Sequence, residues 1–154
     1  MNKKQEIYRC LKENDHDALL DLFDRDPNTV RRGLTRASYD KDEYIARQVA
    51  AFFGFLAQKR ASSQPEYFRE TIRRRLWGMN DESGNMDWVA PEIIANIVAA
   101  EPDLFGEFAP IMIEAALKEP IFFPSLLKAV NTLASKDKKL IEYHLPRLER
   151  LFGS

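Results

Sequence analysis

Residues 80–92 (NDESGNMDWVAPE) bring hydrogen-bonding and carboxylate side chains together at a spacing that suggests metal binding. With Asp81 as the first position of a calcium loop, Ser83, Asn85, Asp87 and Glu92 fall at positions 3, 5, 7 and 12. Those are oxygen ligands in the right order. The sixth position, however, is Met86 where the loop needs glycine for its sharp turn, and the eighth is the bulky Trp88. Glu92 also follows Pro91 directly, inside the start of a helix. No metal is therefore assigned. Two other readings stay open. In one, Asn80 and Ser83 turn the chain, Gly84 supplies a positive φ, and Asp87 caps the helix opened by Ala90 and Pro91. In the other, Asn80, Asp81, Glu82, Ser83, Asn85 and Met86 form a partner-binding loop. Trp77, Gly84, Trp88 and Pro91 then serve as its structural anchors, with both tryptophans buried.

Other chemistry is sparse. His16 stands in the acidic stretch 14–17 as a solvated helix-start residue. His144 lies beside Tyr143 with no carboxylate or nucleophile at a meaningful spacing. Cys10 cannot form an internal disulfide and reads as a packing residue; Arg9 beside it would lower its pKa slightly. The chain has no glycine-rich phosphate loop, no Gly-x-Ser-x-Gly elbow and no His-Glu-x-x-His. No catalytic residue and no cofactor is assigned. Eight arginines (31, 32, 36, 47, 69, 73, 74 and 75) raise the question of nucleic acid, because backbone binding needs several cations on one surface.

The elements that must position these groups are helices. Ile45, Val49, Phe52, Phe53 and Leu56 recur at helical spacing after the polar start at 40–42, and Phe68, Ile72 and Leu76 do so after Pro65. Val89, Ile93 and Ile97 form a strongly apolar stripe. One helix is expected between Pro102 and Pro120, and another carries Phe123, Leu126, Leu127, Val130 and Leu133. A further short helix is expected to open at Asn28 or Thr29. No stretch alternates as a strand would. Two self-matches suggest repeats: Ile45 with Val89 at an offset of 44, and Pro91 with Pro124 at an offset of 33. Both lie near the periods of helical-pair repeats. The expected fold is all-α, a right-handed α-α superhelix of about four helix pairs, with residues 1–154 as one domain.

Composition sets the outer bounds. Hydrophobic residues are 45% of the chain and charged residues 31%, enough apolar material to exclude a disordered polymer. No run approaches a membrane span, and the start MNKKQEIYRC has no apolar signal region, so the expected location is cytoplasmic, without membrane partners. Charge is balanced overall but unevenly placed. Residues 26–77 hold 11 basic and 6 acidic side chains, whereas residues 78–120 hold 9 acidic ones and only Lys118. The acidic half would repel phosphate, which argues against nucleic acid.

The run 76–92 (LWGMNDESGNMDWVAPE), followed by Phe108-Ala109-Pro110-Ile111, resembles a family of small HEAT-like repeat proteins grouped with the phycobilisome-lyase type of HEAT repeat. The family pattern is a tryptophan, an Asn-x-Glu-Ser-Gly turn, a second tryptophan and an Ala-Pro-Glu helix start. Here those places hold Trp77, Asn80, Glu82, Ser83, Gly84, Trp88, Ala90, Pro91 and Glu92. The chain departs from the pattern at Asp87, where the family tends to glycine, and at Asn96, where a small residue is usual. The specific motif covers about residues 76–131. The resemblance implies the superhelix and carries no assigned activity. The expected function is a non-enzymatic protein–protein interaction module or scaffold. Alternatives are a nucleic-acid binder using the basic 31–75 region, or a lyase-type cofactor-handling protein.

Overall fold

Capping residues divide the chain into its helices. The structure, a computed structural model, describes residues 2–80 and 87–153, and among these it contains helices and no strand. Asn2 and Gln5 cap α1 (Lys3–Lys12) reciprocally, each side chain bonding the other's backbone N–H. Asn14 takes a left-handed φ of 56° to turn into α2 (His16–Arg25), which Asp15 caps through the Ala18 N–H. The following helix, α3 (Pro27–Ser38), opens earlier than expected. Asp26 takes the cap, and Pro27 fits the first helical turn because its missing N–H has no partner to lose there. Asp42 caps α4 (Glu43–Arg60), and α5 (Pro65–Met79) again begins on proline.

After the loop come α6 (Ala90–Ala100), α7 (Pro102–Phe105), α8 (Phe108–Ala116), α9 (Phe123–Lys136) and α10 (Leu145–Phe152). The single helix expected between Pro102 and Pro120 is thus two. Gly106 ends the first by donating to the Pro102 carbonyl at 2.8 Å, and a Cβ there would lie 2.7 Å from that oxygen. Short 3-10 turns at Pro120–Phe122, Lys138–Leu140 and Glu142–His144 lead into α9 and α10.

The core is built around α6. Ile93, Ile94, Ala95, Ile97 and Val98 are all buried, so this helix is apolar on nearly every side and must be surrounded. It lies between α4 and α9 and packs on both more extensively than any other pair of elements does; α5 and α8 cover it further. The helix α2 also touches α4, and α1, α3, α5 and α8 pack on the elements next to them. The offsets of 44 and 33 residues therefore connect helices that touch: α4 with α6, and α6 with α9. Between α4 and α6 the approach is close. A Cβ on Gly54 would stand 3.1 Å from the Asn96 Cβ, and the Asn96 amide donates to the Ala50 carbonyl at 2.9 Å. The larger residue at position 96 is thus matched by a glycine opposite. No helix among the described residues is long and apolar enough to cross a membrane.

Candidate functional site

Around the motif the described residues form two arginine clamps. On the inward face of α5, Phe68, Ile72, Arg75 and Met79 share one stripe, so Arg75 is carried into the core with only 3% of its surface exposed. Its Nη1 donates to Asp87 Oδ2 at 3.0 Å and to Ser38 Oγ at 2.7 Å, and its Nη2 reaches Thr35 Oγ1 at 3.4 Å. The guanidinium also lies 5.6 Å from the Phe53 ring centre. Gly78 makes this possible, because a Cβ there would come within 2.9 Å of the Asp87 Cβ. Burial pushes the Asp87 carboxyl above the ordinary range, against the pull of Arg75. Asp87 Oδ1 has no hydrogen-bond partner among the described residues.

The second clamp joins three core helices. Arg47 on α4 donates from Nη1 to Glu92 Oε1 at 2.7 Å and from Nε to Glu43 Oε1 at 2.8 Å, while its guanidinium lies 5.3 Å from the Trp88 ring centre. The Glu92 backbone N–H donates to Ser125 Oγ on α9 at 3.2 Å. Burial raises the Glu92 carboxyl too, opposed by Ser125 and Arg47.

These clamps revise several expectations. Trp77 is not a buried anchor: it is 85% exposed. Two residues beyond Arg75 on a helix, it points away from the stripe that Arg75 shares. Trp88 is half-buried and packs against the core, and Pro91 is buried. Asn80 is exposed and ends α5, its side chain donating to the Leu76 carbonyl. Asp81, Glu82, Ser83, Gly84, Asn85 and Met86 lie outside the described residues. Asp87 does not cap α6 with its carboxylate. Val89 occupies the cap position and the Asp87 side chain turns inward to Arg75, leaving only its carbonyl for the Ala90 N–H. Asp87 and Glu92, two of the three carboxylates of the calcium pattern, are held by different arginines.

Against protein-family models, curated proteins and solved structures, the chain has no match.

The histidines differ from their expected settings. His16 is not solvated but packs against Phe52 and Phe55, and burial lowers its imidazole pKa. His144 does meet a carboxylate, 30 positions away: its Nε2 lies 3.1 Å from Glu114 Oε1, which also accepts from Arg147 at 2.6 Å. Cys10 is fully buried, and burial pushes its thiol up despite Arg9.

The basic set divides as well. Arg47 and Arg75 are committed to the clamps, Arg69 pairs with Glu66, and Arg74 pairs with Glu70. Among the described residues only Arg31, Arg32, Arg36 and Arg73 of that set lack an ion pair.

A surface that sequence reasoning missed adjoins the start of the loop. Asn80, Pro110, Ile111, Glu114, Lys118 and Tyr143 line a shallow cleft of about 450 Å³. Tyr143 is 82% exposed and Ile111 50%, and Trp77 stands one helical turn before Asn80. The signal for Trp77 was its phase. Position 77 falls between the inward positions 75 and 79, where a tryptophan on α5 has no core to enter.

Proposed function

We propose that the chain is a HEAT-like helical repeat protein, a right-handed superhelix of about four helix pairs in one domain. It acts in the cytoplasm as a non-enzymatic protein-binding module. The stacking of α4, α6 and α9 supports the repeat reading, since a stack of helical pairs exposes a long surface relative to its mass. The exposure of Trp77 carries the binding reading. Leaving an indole in water forgoes burial worth about 1.5–3 kcal/mol for a large apolar side chain, and tryptophan and tyrosine are enriched where partners dock. The described parts of the motif supply the rigid support: the Arg75–Asp87 and Arg47–Glu92 clamps fix α5 and α6 on either side of the loop.

Nucleic acid is the weaker reading, because four of the eight arginines are already neutralised. A photo-crosslinking amino acid placed at Ile111 tests the proposal in native lysate. Discrete protein adducts that disappear in a Trp77→Ala background are expected. Adducts indifferent to Trp77, or none at all, would overturn it.

A further inference from the structure

We infer that the segment seated on Trp77 is at once acidic and apolar, with carboxylates interleaved among large aliphatic or aromatic side chains; this rests on the binding reading above. The outward face of α5 carries Glu66, Arg69, Glu70, Arg73, Arg74 and Trp77 at helical spacing. Glu66 is taken by Arg69 and Glu70 by Arg74. Arg73, one turn before Trp77, is exposed and makes neither a hydrogen bond nor an ion pair among the described residues. Across the neighbouring cleft the same asymmetry holds. Glu114 is already shared by Arg147 and His144, while Lys118 has no ion pair among the described residues. Among the described residues, the charge left without an ion pair on the Trp77 face of α5 is therefore positive.

Any group that covers Trp77 also strips water from Arg73, and a desolvated guanidinium without a counter-charge is costly. The partner must bring that charge itself. It must also bring apolar side chains, because Trp77 beside the cation, and Ile111 and Tyr143 in the cleft that adjoins Asn80, offer exposed hydrophobic surface. Carboxylates suit the position better than a phosphate backbone. Arg73 is the one cation of this helix face without an ion pair among the described residues, whereas a phosphate backbone needs several cations on one surface.

The test uses the full chain with Trp88→Phe, which leaves Trp77 as the sole tryptophan reporter. A random peptide library is selected on this protein, and the recovered peptides are titrated while Trp77 fluorescence is followed. The expected peptides shift Trp77 emission to the blue and are enriched in Asp and Glu between Leu, Ile and Phe. Arg73→Glu should weaken them at least about tenfold, and Arg73→Lys should largely preserve them. Peptides that shift Trp77 without acidic enrichment, or that ignore Arg73→Glu, would overturn the inference and leave the binding surface standing. If no peptide shifts Trp77, or if binding survives Trp77→Ala, the binding surface itself fails. A labelled mixed-sequence single-stranded DNA is the remaining arm. Binding that requires Arg73 and collapses with added salt would replace the acidic peptide with nucleic acid.

Discussion

The two faces of α5 treat their side chains in opposite ways. Arg75 faces inward, almost without exposure, while Trp77 faces outward, almost wholly in water. A charge lies inside and the largest apolar ring lies outside, two positions apart. The inward cation is tolerated because Asp87, Ser38 and Thr35 accept its N–H donors, as a buried guanidinium requires. The outward indole has no such compensation among the described residues. The buried guanidinium has its partners and the exposed indole has none among the described residues, and the difference separates the clasp from the surface available for binding.

The largest effect should come from breaking the clasp. Asp87→Ala leaves Arg75 buried without its counter-charge and is expected to cost about 3–5 kcal/mol in a urea-unfolding experiment. Adding Arg75→Met should recover much of that loss. If Asp87→Ala costs under about 1 kcal/mol, the buried guanidinium does not depend on its counter-charge and the comparison collapses. Trp88 comes next. Half-buried and stacked on Arg47, it should cost about 2 kcal/mol on replacement by alanine, less than a fully buried aromatic would.

Acid titration tests the same pair without removing atoms. Burial raises the folded-state carboxyls of Asp87 and Glu92 above their ordinary values. Between the unfolded and folded values, the folded chain binds more protons, so these two groups make stability rise as pH falls through that window. Asp24 and Glu114 behave oppositely. Their carboxyls are held down by Arg60 and Arg147, and their stabilisation is lost as pH falls through the lowered values. On acidification toward the ordinary carboxyl range, wild type should therefore gain relative to Asp87→Asn. A gap that moves the other way would show that Arg75 outweighs burial. The smallest effect belongs to Trp77→Ala, whose unfolding free energy should stay within about 0.5 kcal/mol of wild type. A cost like that of Trp88→Ala would mean that Trp77 is a second clasp and not a surface.

Local signals were sufficient for most helices, but not for the start of α3 at Pro27 or the break between α7 and α8 at Gly106. Asp15 and Asp42 cap where a side-chain acceptor before an apolar run predicts a cap. The stripe Ile45, Val49, Phe52, Phe53 and Leu56 is buried as its period requires. The repeat offsets likewise pointed to helices that pack on one another, because a repeated apolar pattern reflects a repeated burial environment. What the sequence could not provide was partner identity across distance. Asp87 looked like a cap because it precedes a helix, and only packing brought Arg75 close enough to turn its carboxylate inward. Trp77 looked like an anchor because tryptophan is usually buried, and only the phase set by Arg75 and Met79 placed it outside. His144 had no carboxylate at a meaningful spacing in the sequence, yet Glu114 meets it from α8. Periodicity is fixed by the chain's own neighbours, whereas a buried charge is matched by whichever group the fold delivers, and that choice belongs to the tertiary structure.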